Sequence, residues 1–151
     1  MANNKLSMQR VLRASPEVVY RAFTEPDAMA YWLPPYGYTC TVDHMDVHAG
    51  GSYKMCFINF LNGRQHPFGG KFLELVPNEF IKHVDIFADP DPAEVINFIW
   101  IKKVSVGTEL TIVLEGLPAS LPPEMCCLGW QQSLEKLAKL VEPKIPVAAQ
   151  V

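Results

Sequence analysis

One stretch near the end of the chain, Pro122 to Glu142, constrains the fold more than any other. Cys127, Trp130, Leu134, Leu137 and Val141 recur at three- and four-residue steps, with Ala138 beside them. At about 100° per residue they form one apolar stripe roughly a third of a turn wide. Gln131, Gln132, Glu135, Lys136, Lys139 and Glu142 fall on the other side, with Glu135 and Lys139 in a favourable i,i+4 relation. Pro122 and Pro123 suit a first helical turn, where missing amide protons cost little, and Pro143 stops the helix. Before this helix the chain reads as strands with two short helices. A long helix that follows many strands must bury its stripe on their sheet.

The chain in order supports that plan. Lys5 to Arg13 alternates as a first strand, and Ser15-Pro16-Glu17 starts a helix whose apolar face is Val18, Val19, Ala22 and Phe23. Thr24, as a cap, opens a second short helix carrying Met29 and Trp32 and ending at Pro34-Pro35. Strands are expected from Tyr36 through Val47, then over Ser52–Phe60, Gly70–Val76, Phe80–Phe87, Val95–Val106 and Leu110–Leu114. Gly50-Gly51, Asn62-Gly63, Pro77-Asn78-Glu79, Asp89–Ala93 and Gly107-Thr108 break them. Short turns favour antiparallel pairing. The expected architecture is α+β: a curved antiparallel sheet of six to seven strands around a long C-terminal helix, with two short helices after the first strand. Residues 1–142 form one domain, and 143–151 are expected to be a mobile tail.

Composition removes several functions. The formal net charge is −3 and no basic run exists, which argues against a nucleic-acid surface. No apolar stretch approaches the ~20 residues of a membrane span, and the start lacks an apolar leader segment. Cys40, Cys56, Cys126 and Cys127 contain no CxxC, and adjacent helical cysteines rarely bridge. Reduced thiols in a cytoplasmic protein are expected.

A set of short pieces carries a resemblance: Arg13-Ala-Ser-Pro-Glu-Val-Val-Tyr20, Thr24-Glu-Pro-Asp27 with Trp32, and Gly50-Gly51-Ser-Tyr53. It continues with Gly70-Lys-Phe-Leu-Glu-Leu-Val-Pro77, Gly107-Thr-Glu-Leu-Thr111, and Gly129-Trp130 with Leu134 and Leu137. In this order, over about residues 8–142, they resemble the activator-of-Hsp90-ATPase-homologue-like family of the Bet v 1 or START-type helix-grip superfamily. The resemblance implies a cavity between sheet and long helix, but not one activity, since relatives include carriers, receptors and cyclases. Leu33 stands where the family usually has a second aromatic. The Hsp90 co-chaperone has an additional N-terminal domain for which this chain has no room, so a chaperone partner lacks support from length.

The aromatic and methionine content must be mostly core, with some of it cavity wall. The candidate ligand-binding residues are Trp32, Tyr53, Met55, Phe57, Asn59, Phe98, Trp100, Trp130 and Leu134, with Met29 and Trp32 as a lid. Asn59 is the lone polar group expected to orient a ligand. His44, Asp46 and His48 would share one strand face, yet alternate residues ~6.6 Å apart converge poorly on a metal. No metal or cofactor is expected. His66 reads as an exposed loop residue. His83 and Asp85 share a strand face and are expected at the surface, with one of them turned into the cavity as the alternative. Cys126 or Cys127 as a nucleophile would need a base and an electropositive setting.

Three functions follow: binding of a small, largely apolar molecule; a protein-interaction module; and a small-molecule cyclase or hydrolase. A homodimer stays open. A continuous cavity favours the first and third, and a filled core with an exposed apolar patch favours the second. Convergent titratable groups inside the cavity would raise the third over the first.

Overall fold

The computed structural model describes residues 5–88 and 92–143. Along them run β1 (Lys5–Leu12), α1 (Pro16–Thr24), α2 (Pro26–Trp32), β2 (Tyr38–Met45) and β3 (Ser52–Asn59). Then come β4 (Gln65–Val76), β5 (Phe80–Phe87), β6 (Ala93–Val104), β7 (Gly107–Glu115) and α3 (Pro123–Val141). The strands form one antiparallel sheet in the order β1-β7-β6-β5-β4-β3-β2. Six consecutive strands meander, and the first returns to lie beside the last.

Several local expectations shift. β4 starts at Gln65 rather than Gly70, because Gln65, His66 and Pro67 pair with Ile58, Phe57 and Cys56. Pro67 is tolerated there, since pairing with β5 begins only at Gly69. β2 ends at Met45 after a register irregularity between Val42 and His44, short of the expected Val47. Ser15 accepts from the Val18 amide as expected of a cap, but Val18 itself is exposed. Thr24 does not cap α2; its hydroxyl donates back to the Tyr20 carbonyl at 2.9 Å, and Glu25 takes the cap position. Part of the expected Asp89–Ala93 loop and the tail beyond Pro143 lie outside the described residues.

The helices close the sheet. α1 leans on β6 and β7, α2 leans on β2, and the pair therefore spans from one side of the sheet to the other. α3 packs against β1, α1 and α2, where Leu134 and Leu137 are 5% and 0% exposed. Two polar ties fix it there. Arg10 meets Glu135 at 3.2 Å, in place of the expected Glu135–Lys139 pairing, and the Arg13 amide donates to Glu142 at 2.9 Å. α3 makes no close backbone approach to β3, β4, β5 or β6. The middle of the sheet is thus left uncovered by the helix backbone, and this creates the interior space described below.

The entry into α1 is pinned by Thr108, fully buried, whose hydroxyl donates to the Ala14 carbonyl at 2.7 Å. Thr108→Val keeps the shape and removes the donor, so the partly buried Ala14 carbonyl loses this partner. The expected cost is about 1–3 kcal/mol, read as a lower denaturation midpoint. An unchanged midpoint would show that water replaces the bond.

Candidate functional site

A cavity of about 790 Å³ lies between α3 and the inner face of the sheet. Strand parity decides its walls, because alternate residues point to opposite faces. β3 contributes Tyr53, Met55 and Phe57; β4 contributes Phe68 and Phe72; β5 contributes Ile81, His83, Asp85 and Phe87. Asn97 enters from β6. The helices supply Phe23, Met29 and Trp32, then Met125, Cys126, Gly129, Trp130 and Ser133. Exposed Arg64 and His66 border it on the β3–β4 hairpin, and exposed Leu121 and Met125 border it at the start of α3.

Aromatic rings build most of the apolar surface. Phe57 meets Phe68 edge-on at 5.2 Å between centroids, Phe68 stacks on Phe87 at 5.4 Å, and Tyr53 and Phe72 stand 5.3 Å apart. At the helical end Trp32 is fully buried, with its indole N–H donating to the Ala22 carbonyl at 2.8 Å. Phe23 packs edge-on against it at 4.8 Å, and Trp130 lies 6.3 Å away. Trp32 and Met29, expected as a lid, are therefore buried parts of the wall.

One polar cluster interrupts this lining. In the sheet ladder Tyr53 is opposite Gly70, Gly70 is opposite Asp85, and His83 is opposite Asn97. Because Gly70 has no side chain, Tyr53 crosses it and reaches β5; a Cβ there would collide with the Tyr53 hydroxyl and the Val84 carbonyl. The Tyr53 hydroxyl lies 2.6 Å from Asp85 Oδ1, 2.8 Å from His83 Nδ1 and 2.9 Å from the Val84 carbonyl. Asn97 Nδ2 donates to Asp85 Oδ2 and to the Val95 carbonyl, each at 3.1 Å. Burial first, and then the charge and hydrogen bond of Asp85, hold the Tyr53 hydroxyl well above its ordinary pKa. The phenol therefore stays protonated and donates to Asp85. The short contact to His83 must then be an imidazole Nδ1–H donating to the Tyr53 oxygen.

Of the residues the sequence nominates, Trp32, Tyr53, Met55, Phe57 and Trp130 come together around this space. Asn59 does not: its side chain accepts the Leu61 and Asn62 amides at 3.0 and 3.4 Å and closes the hairpin turn. Phe98 and Trp100 stand on the outer face of β6, stacked on each other at 5.9 Å, because Asn97, Ile99 and Ile101 take the inner positions. Leu134 is buried in the core and does not border the cavity. His83 and Asp85 correct the surface expectation, since both face inward with side chains 14% and 18% exposed. His66 lies in β4 rather than a loop, exposed, with its ring 6.0 Å from Tyr38.

Asn97 and Ser133 are functional candidates that sequence reasoning left out. A lone Asn among Val95, Ile99 and Ile101 on a core face needs a polar partner, which was the available signal. Ser133 sits on the helix face beside the stripe and donates to the Leu33 carbonyl at 2.6 Å. Burial pushes the Cys126 thiol up to about 11, the opposite of the lowered value that an activated cysteine nucleophile needs. All four cysteines are free. His44 is engaged by Asp43 at 3.0 Å and Ser52 at 2.9 Å, and His48 by the Ala49 carbonyl at 3.1 Å. The strand ends before Asp46, so His44, Asp46 and His48 do not share a strand face. Among the described residues no three His, Cys, Asp or Glu side chains are grouped to hold a metal, and no helix is long and apolar enough to cross a membrane.

The family model described as "Activator of Hsp90 ATPase homolog 1-like protein" matches residues 13–142. A solved structure of a protein from Chromobacterium violaceum is 51% identical, with a TM-score of 0.91, over 93% of this chain and 99% of that one. An AHSA1 protein from Silicibacter pomeroyi is 20% identical with a TM-score of 0.79, over 91% of this chain and 96% of that one. An AHSA1-like protein from Aeromonas hydrophila is 20% identical with a TM-score of 0.75, over 90% of both chains. The last two are alike in fold alone. A search of curated proteins found no match.

Proposed function

The chain belongs to the activator of Hsp90 ATPase homolog 1-like family, and on that premise we propose that it binds a small, largely apolar molecule between the sheet and α3. The observation that carries this reading is the cavity of about 790 Å³ held open because α3 stands off the middle strands. Small-molecule sites commonly occupy about 300–1,000 Å³ and combine apolar walls with a few convergent polar groups. Phe57, Phe68, Phe87 and Trp130 supply the first, and Tyr53, His83, Asp85 and Asn97 the second. Transfer of a ligand's apolar surface from water would contribute roughly 25 cal/mol per Å². Ordering the ligand offsets part of that gain, so moderate affinity is expected.

Trp32 and Trp130 border the cavity while Trp100 lies outside it. Titration with a panel of fatty acids, flavonoids and sterols should therefore quench or shift tryptophan emission for at least one class, and in a Trp100→Phe background as well. The response should weaken in Phe57→Ala. Failure of every panel member to bind below millimolar would sink this reading.

A second reading, an acid–base enzyme acting on the bound molecule, draws on the convergence of His83, Tyr53 and Asp85. The convergence raises this reading, but both Asp85 oxygens are already engaged by Tyr53 and Asn97 within the fold, as in clusters with a structural role, so binding stays first. Turnover of a bound panel member that is lost in His83→Phe would favour the enzyme. The interaction-module reading has exposed Phe60 and Leu61 in its favour, 75% and 91% exposed at the β3–β4 hairpin. It gains nothing from the open interior.

A further inference from the structure

Within the polar cluster most hydrogen-bonding positions are already taken. Asp85 is occupied on both oxygens, by the Tyr53 hydroxyl and by Asn97 Nδ2. The two acceptors of Asn97 Nδ2, a carboxylate and a carbonyl, fix the amide orientation and leave Oδ1 as its free end. Asn97 is 1% exposed, borders the cavity, and its Oδ1 has no hydrogen bond to the described protein. His83 gives its Nδ1–H to Tyr53, and in this Nδ1–H tautomer Nε2 is the acceptor, also without a protein partner. No fully buried side-chain nitrogen or oxygen is left unpaired among the described residues, so both atoms keep access to the cavity. The cluster therefore offers two acceptors and no spare donor, beside a carboxylate.

Resting on the cavity reading, we propose that the molecule bound here carries a neutral hydroxyl or phenol at its inner end, donating to His83 Nε2 beside Asn97 across the ladder. A hydroxyl gives its one proton to one of the two acceptors, whereas an apolar end leaves both unpaired in a dry site. A carboxylate end is selected against twice. It brings only acceptors to acceptors, and it sets a second negative charge near Asp85, where low dielectric strengthens repulsion. Arg64 and His66 border the cavity from exposed positions on the hairpin, so an anion turned outward is the competing pose.

Three ligands with one skeleton separate these outcomes: 2-naphthol, naphthalene and 2-naphthoate, each titrated by calorimetry at neutral pH. The expected order is 2-naphthol tightest, roughly tenfold or more ahead of both others. In His83→Phe the ratio of naphthol to naphthalene affinity should fall towards one. In the wild-type protein the ¹⁵N resonance of His83 Nε2 should move with 2-naphthol and not with naphthalene, a readout independent of whether the variant folds. Equal binding of naphthol and naphthalene, or naphthoate binding as tightly as naphthol, would overturn the head-group inference while leaving the cavity reading standing. Binding by none of the three would overturn the inference too, and the broad panel then decides whether the cavity reading falls with it.

Discussion

Trp32→Ala is expected to cost about 3–5 kcal/mol, a large part of the ~5–15 kcal/mol that keeps a domain of this size folded. Three losses add. The indole is fully buried, so its whole apolar surface leaves the core. The Ala22 carbonyl, which receives the indole N–H at 2.8 Å, loses that donor in a buried place. Phe23, in edge contact at 4.8 Å, loses its neighbour, and the void opens into a space that is already there. Because α2 contacts both β2 and α3, the damage should spread to the closure of the sheet and not stay in one short helix. Trp32→Phe keeps part of the volume and should cost distinctly less. Urea denaturation of the three proteins checks this. A Trp32→Ala midpoint within error of the wild type would mean that the helix pair is not a structural closure.

The fold was legible because its signals are periodic and redundant. Leu134, Leu137 and Ala138 at helical spacing, and Leu110, Ile112 and Leu114 at strand spacing, each specify a face without outside help, and these faces are buried. The site was legible only in part. β5 alternates Ile81, His83, Asp85 and Phe87 against Phe80, Lys82, Val84 and Ile86, and both sets contain apolar and polar members. Composition alone could not choose which set turns inward. The choice is made by register, which places Asp85 across Gly70 from Tyr53 and His83 across from Asn97. Phe98 and Trp100 misled for the opposite reason. Large aromatics suggest a wall, but the lone Asn97 between Val95 and Ile99 was the better guide to the inner face. Asn59 shares nominal parity with Phe57, yet at the last position of its strand the side chain serves the turn.

Gly129 brings stability and binding into opposition. It lies in the interior of α3, where glycine costs about 1 kcal/mol relative to alanine. With Met125 and Ser133, four residues to either side, it forms the helix face that borders the cavity. A Cβ added there meets nothing within 4 Å, so no close packing demands a glycine. A leucine at this position should strengthen the helix by its propensity and project into the space a ligand would occupy. The most direct test of the cavity reading is therefore the affinity of Gly129→Leu for whichever panel member the wild type binds best, measured beside its thermal midpoint. The prediction is a midpoint at or above the wild type, with affinity at least roughly tenfold weaker. A folded, equally stable Gly129→Leu protein that binds as tightly as the wild type would contradict it, because the ligand would then lie somewhere other than beneath α3.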